Sequence, residues 1–131
     1  MRGEVLDRKV VYDQELVFRE GDKGDRAYIL QEGKISILKR LGEKEVDENG
    51  EEVEVPSLIG EINPGGVFGE MALVDDQPRM ATARSEGSST LVVIPRRTFM
   101  EKLSKADPFI KTLMGIFVRS IRTLSNEKAK D

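Results

Sequence analysis

Glu70 and Arg79 stand nine positions apart in the segment FGEMALVDDQPRMATA, residues 68–83. Between them lie small apolar residues, two aspartates and a proline. Gly69 lets the backbone approach a ligand closely. Met71 and Ala72 belong to a run of good helix formers, EMAL, that suits one short helical turn. The first amides of such a turn have no intrahelical partner and attract an anion. Arg79 adds a charged fork matched to phosphate oxygens, and Pro78 fixes the backbone just before it. A carboxylate at Glu70 repels phosphate, so it fits only a ligand that also carries hydroxyls. A ribose with a free 2′-OH meets that condition: Glu70 accepts from the hydroxyl while Arg79 and the backbone take the phosphate. On spacing alone, mutual pairing of Glu70 and Arg79 at the surface accounts for them equally well, and such pairs contribute about 0–1 kcal/mol.

Other chemistries lack their reagents. The chain of 131 residues contains no Cys and no His. Thiol chemistry, a disulfide framework, the commonest zinc ligands and the commonest general base are therefore missing. No acidic cluster sits beside a candidate nucleophile, so the chain is not expected to be an enzyme and no metal site is assigned. The formal net charge is −3, which does not favour nucleic acid. No apolar run approaches the roughly 20 residues needed to span a bilayer, and MRGEVLDRKV does not read as a signal peptide. A cytoplasmic location follows as the expectation.

The elements that must hold residues 68–83 are mostly short strands. VVYDQELVF is β-rich and is followed by the polar loop REGDKGD. AYIL and KISILKR flank QEG, whose Gly33 can supply a positive φ. LGEKEVDENGEEVEVPSLIGEI reads as a projecting hairpin or flexible loop with an Asn-Gly turn at its centre. NPGG is a further turn and STLVVI a last apolar strand. The chain then turns helical. Thr98 and Glu101 form a capping-box pattern that predicts a helix to about Lys105. Asp107 and Pro108 predict the cap and first residue of another helix, and Ile110, Leu113, Met114, Phe117, Ile121 and Leu124 fall on one helical stripe. The polar tail from Ser125 is expected to fray. Strands first and helices last predict an α+β chain: an antiparallel β-roll, or jelly-roll-like barrel, over about residues 10–94, then C-terminal helices over about 98–128, in one domain spanning 1–131.

Residues 68–83 closely resemble the phosphate-binding cassette of the cyclic nucleotide-binding domain family. That family includes the regulatory subunits of cyclic-AMP-dependent kinase, the catabolite activator proteins and the nucleotide-gated channels. VFREGDKGDRAYILQEGKISIL and INPGGVFGE resemble the family's strand-turn-strand signature and its Pro-Gly turn, and the likeness covers about residues 12–124. The resemblance implies a sensor without bond-making chemistry. It assigns Glu70 to the ribose 2′-OH, Arg79 to the cyclic phosphate, backbone N–H groups to Gly69, Met71 and Ala72, and the far side of the site to Ala81 and Thr82. Met80 departs from the Ala, Thr or Ser that often follows the arginine. It cannot donate a hydroxyl hydrogen bond to guanine, which makes cyclic AMP the expected ligand and cyclic GMP the lesser one. The last helix is expected to cover the base, with Phe117, Arg119, Ile121, Arg122 and Leu124 as candidates. Leu73 is expected to pack on the C-terminal helices and transmit movement. A homodimer through the last helix, or a regulated effector domain, are the implied partners. The alternatives are a degenerate roll used for protein contact and the sensor fragment of a transcription regulator or channel. The sequence leaves open whether the chain stands alone or is part of a longer one.

Overall fold

Short β-branched and aromatic runs punctuated by Gly, Pro and Asp become strands. The computed structural model describes the backbone of residues 6–130 and the side chains of residues 6–124. The run VVYDQELVF divides into β1 (Arg8–Val11) and β2 (Leu16–Phe18), which join different sheets. A turn separates them: Glu15 N donates to the Tyr12 carbonyl at 2.9 Å, and Gln14 adopts φ 68°. β3 (Arg26–Glu32) and β4 (Ile35–Lys39) meet at Gly33, whose φ is 105°. Gln31 and Glu32, expected in the link, continue β3 because Glu32 pairs with Thr90.

The acidic stretch is part hairpin and part sheet. β5 (Lys44–Val46) and β6 (Glu52–Glu54) form the expected projecting hairpin, with Asp47 Oδ1 accepting from the amides of Asn49 and Glu51. The SLIGEI portion does not project. It is β7 (Ser57–Ile62), paired with β4 from Ile35↔Ile62 to Lys39↔Ser57. After β8 (Val67–Phe68) come a short helix, α1 (Met71–Asp75), and strands β9 (Thr82–Ser85) and β10 (Ser89–Pro95).

Two four-stranded antiparallel sheets result, ordered β1-β10-β3-β8 and β2-β9-β4-β7. They form a roll and not a closed barrel. Leu30, Ile35, Leu91, Val11 and Ala83 are fully buried in its core, with Tyr28, Phe68 and Val93 beside them. Burying each Leu or Ile contributes about 1.5–3 kcal/mol. Phe18, Tyr28 and Phe68 pack together at centroid distances of 5.4–6.2 Å, Tyr28 stacked on both phenylalanines and those two tilted to each other.

The helices differ from expectation in instructive places. α2 (Arg96–Ser104) begins two residues before Thr98, its cap position is Pro95, and no side chain caps it. Its start is fixed instead from the roll: Arg96 N donates to the Asp25 carbonyl, and the Arg96 guanidinium to Gly24 O and Asp76. Thr98 is thus a buried residue inside the helix and not its cap. α3 (Pro108–Lys130) starts as expected, with Asp107 Oδ1 accepting from Phe109 N at 2.8 Å. Its backbone stays helical from Ser125 to Lys130, where the tail was expected to fray. The single apolar stripe splits into two faces. Met114, Val118 and Arg122, spaced four apart, form a face with Val118 buried and the other two half-buried, and α3 packs against α1. Ile110, Phe117, Ile121 and Leu124 lie exposed. Among the described residues no helix is long and apolar enough to cross a membrane.

Candidate functional site

A cavity of about 170 Å³ lies where β8 runs into α1 and residues 79–81 return toward β9. Gly69, Glu70, Met71, Ala72, Arg79, Met80 and Ala81 all line it. Thr82 does not: its hydroxyl accepts from the Glu20 amide at 2.9 Å, on the other side of β9. Of the five side chains considered for a cover, Arg122 alone reaches the cavity wall.

Arg79 is held by the roll before any ligand arrives. It is 5% exposed, and its guanidinium donates to the carbonyls of Gly69 and Arg26, the latter at 2.7 Å. Its Cζ lies 4.1 Å from the centroid of the Phe18 ring, in a cation–π contact. Two glycines make room for it. A Cβ on Gly24 would meet Arg79 Cζ at 2.4 Å, and one on Gly69 would meet Nη1 at 2.8 Å in a backbone with φ 80°. Burial pulls the guanidinium below its usual pKa, while Tyr28, Asp25, Glu70 and Asp22 push it back up. Its Nε–H is buried with no partner.

Glu70 precedes α1 at the N-cap position yet makes no side-chain cap. Its carboxylate is left facing the cavity it lines, and Oε2 is buried without a partner. Burial raises its pKa above the ordinary glutamate value, partly offset by its own backbone amide and by Arg79. Glu70 and Arg79 therefore do not satisfy each other, as a surface pair would. Both residues line the cavity, and each carries one buried polar atom without a partner: an acceptor on Glu70 and a donor on Arg79. The amides of Met71 and Ala72 open α1 beside them, ahead of its first intrahelical bonds from Leu73 and Val74 to the Glu70 carbonyl.

A latch joins this site to the last helix. Arg122 pairs through Nε and Nη2 with the Asp75 carboxylate, and its Nη1 donates to the Pro78 carbonyl at 2.9 Å. Leu73, 1% exposed, lies on α1, which packs on both α2 and α3. Sequence reasoning did not single out Phe18, Gly24 or Arg26 for the site. Their traces were a β-rich run, the polar loop with two glycines after it, and the resemblance of VFREGDKGDRAYILQEGKISIL to the family's strand-turn-strand signature. Nothing local in that loop shows that an arginine more than 50 residues away fills its concavity.

Residues 8–106 match the cyclic nucleotide-binding domain family. A cAMP-dependent protein kinase regulatory subunit of Blastocladiella emersonii is 33% identical over 100 residues, covering 76% of this chain and 22% of the relative. One from Dictyostelium discoideum is 32% identical over 107 residues, covering 80% of this chain and 30% of the relative. The chain thus spans less than a third of the length of these relatives. Among solved structures, the EAL enzyme Bd1971 in its cAMP-bound form superposes with a TM-score of 0.72 at 28% identity, over 92% of this chain and 30% of that one. The roll, the cavity and these likenesses together place the chain in the cyclic nucleotide-binding domain family.

Proposed function

We propose that this chain is a regulatory sensor domain whose ligand is cyclic AMP. The observation that carries this reading is that one cavity is lined by two residues that each hold a buried, unsatisfied polar atom, Glu70 with Oε2 and Arg79 with Nε–H. A ribose cyclic phosphate supplies both complements: its 2′-hydroxyl donates to Glu70, and its phosphate accepts from Arg79 and the amides of Met71 and Ala72. Gly69, Met80 and Ala81 complete the wall; Thr82 acts from behind it by holding the chain at Glu20. None of these groups makes or breaks a covalent bond. The names of the cAMP-dependent protein kinase regulatory subunits support the choice of cyclic AMP, whereas Bd1971, similar in both its cAMP-bound and its cGMP-bound form, supports a cyclic nucleotide without choosing between them. Met80 at the cavity favours adenine over guanine, since it cannot donate to the guanine carbonyl.

Ligand entry draws residues 69–72 toward the phosphate. α1 moves with them, and α3 follows through Leu73 packing and the Arg122–Asp75 latch. The exposed Phe117, Ile121 and Leu124 face of α3 then serves as the contact for a second copy or for an effector domain.

Calorimetric titration with cyclic AMP and cyclic GMP, on protein unfolded and refolded to strip nucleotide, tests the reading. Micromolar or tighter cyclic AMP binding, about −8 kcal/mol, is expected. Absence of heat and of thermal stabilisation with both nucleotides leaves a protein-contact module instead. For the coupling, α3 chemical shifts that respond to ligand equally in wild type and Leu73→Ala would remove Leu73 from the relay.

A further inference from the structure

We propose that Lys39 is a positioning residue for the nucleotide site, acting through the Met80 carbonyl; this rests on the nucleotide-binding reading above. Lys39 ends β4 and is 6% exposed. The β4–β9 register stops one residue earlier, at Leu38↔Thr82, and the backbone of Lys39 pairs with Ser57 on β7. Residues 79–81 have left the sheet at this point. The Lys39 ammonium reaches them where the ladder ends: Nζ donates to Met80 O at 2.6 Å and lies 3.4 Å from Glu20 Oε2.

Glu20 extends the tie in both directions. Its amide donates to Thr82 Oγ1 at 2.9 Å, and Oε1 accepts from Arg40 N at 3.1 Å. Arg79 is laced to the same turn, its amide donating to Asp22 O and its carbonyl accepting from Gly21 N, both at 2.8 Å. Residues 79, 80 and 82 are therefore each pinned to the β2–β3 turn or to Lys39. A buried ammonium is costly unless it is paired and hydrogen-bonded, and an aliphatic side chain would end the strand without that cost. What the ammonium adds is a fixed orientation for the Met80–Ala81 peptide. That peptide is trans, so holding the carbonyl toward Lys39 directs the Ala81 N–H away from it. Met80 and Ala81 line the cavity and Lys39 does not. The tie sits one residue after Arg79, and so holds the guanidinium in its place over Phe18.

The test compares wild type, Lys39→Met and Lys39→Arg for cyclic AMP affinity by calorimetry, for melting temperature, and for the Arg79 Nε–H resonance of the free protein. Lys39→Met should weaken binding about tenfold, as loss of a hydrogen bond from a charged donor does, and should shift the Arg79 resonance. Lys39→Arg should recover most of the affinity. A folded Lys39→Met chain with wild-type affinity and an unmoved resonance overturns the proposal, even if it melts earlier, because lysine would then be a structural filler. If Lys39→Met does not fold, Glu20→Gln, which removes only the countercharge, should weaken binding about threefold, and unchanged affinity overturns the proposal. Failure of the wild type to bind cyclic AMP would instead count against the nucleotide-binding reading itself.

Discussion

Glu70 and Glu86 are the same residue type in the same roll, and the two sites treat them oppositely. Glu86, just after β9, is supplied with partners: the Ser36 side chain bonds it, Arg84 grips Oε2 through Nε and Nη2, and Gln14 donates to Oε1 at 2.8 Å. Those bonds hold its carboxyl down to about 2. Glu70 is given burial and an unbonded oxygen, and burial holds its carboxyl up. A carboxylate that stabilises a fold is surrounded by donors. In the proposed function Glu70 Oε2 waits for a ligand donor, and the fold bears the desolvation cost of that unbonded oxygen.

The largest effect should come from removing the donor side of the waiting site. Arg79→Ala should lower cyclic AMP affinity by about 2–5 kcal/mol, measured by calorimetry. It should also lower the melting temperature, since the Gly69 and Arg26 carbonyls lose their donors. Glu70→Gln should separate the two properties. Affinity falls by about 1.5–3 kcal/mol while the unliganded protein melts no earlier, because an unpaired buried carboxylate has gone. An earlier melt for that variant would break the contrast with Glu86. Gly24→Ala comes next: its Cβ would sit 2.4 Å from Arg79 Cζ, so the guanidinium must shift; the overpacking should cost about 1–3 kcal/mol of stability and weaken cyclic AMP binding.

The smallest effects belong to the satisfied site. Glu86→Gln should cost less than about 1 kcal/mol of stability and leave cyclic AMP affinity unchanged. The pH signs are opposite as well. The depressed carboxyl of Glu86 contributes stability that is present above the ordinary glutamate value and is lost as pH falls toward about 2. The raised carboxyl of Glu70 opposes folding above that ordinary value, and the penalty is relieved as pH falls through its raised one. Urea midpoints against pH should therefore lose part of their acid slope in Glu86→Gln and gain acid slope in Glu70→Gln.

Much of the site was legible because it is contiguous. Gly69 through Ala72 and Arg79 through Ala81 lie within one segment and line one cavity, although spacing alone fitted a surface ion pair of Glu70 and Arg79 as well as a ligand site. The order of strands before helices was legible from period and punctuation. The stripe on α3 was legible as a helix but not as two faces, since periodicity records that residues share a side and not what covers it. The start of α2 was misplaced because Asp25, Gly24 and Asp76, distant in sequence, fix it more firmly than a local Thr98 cap would.

By itself the sequence determined which groups exist and which are adjacent along the chain: the acid, the fork, the glycine beside them, and the absence of Cys and His. Tertiary structure decided which groups meet. It set Phe18 under Arg79, brought Lys39 and Glu20 behind Met80, carried Arg122 from α3 to Asp75, and left Glu70 Oε2 without a donor. The reason is physical. Side-chain chemistry and local backbone preference are written residue by residue, whereas burial and partnership depend on which strands pair and how the chain closes on itself.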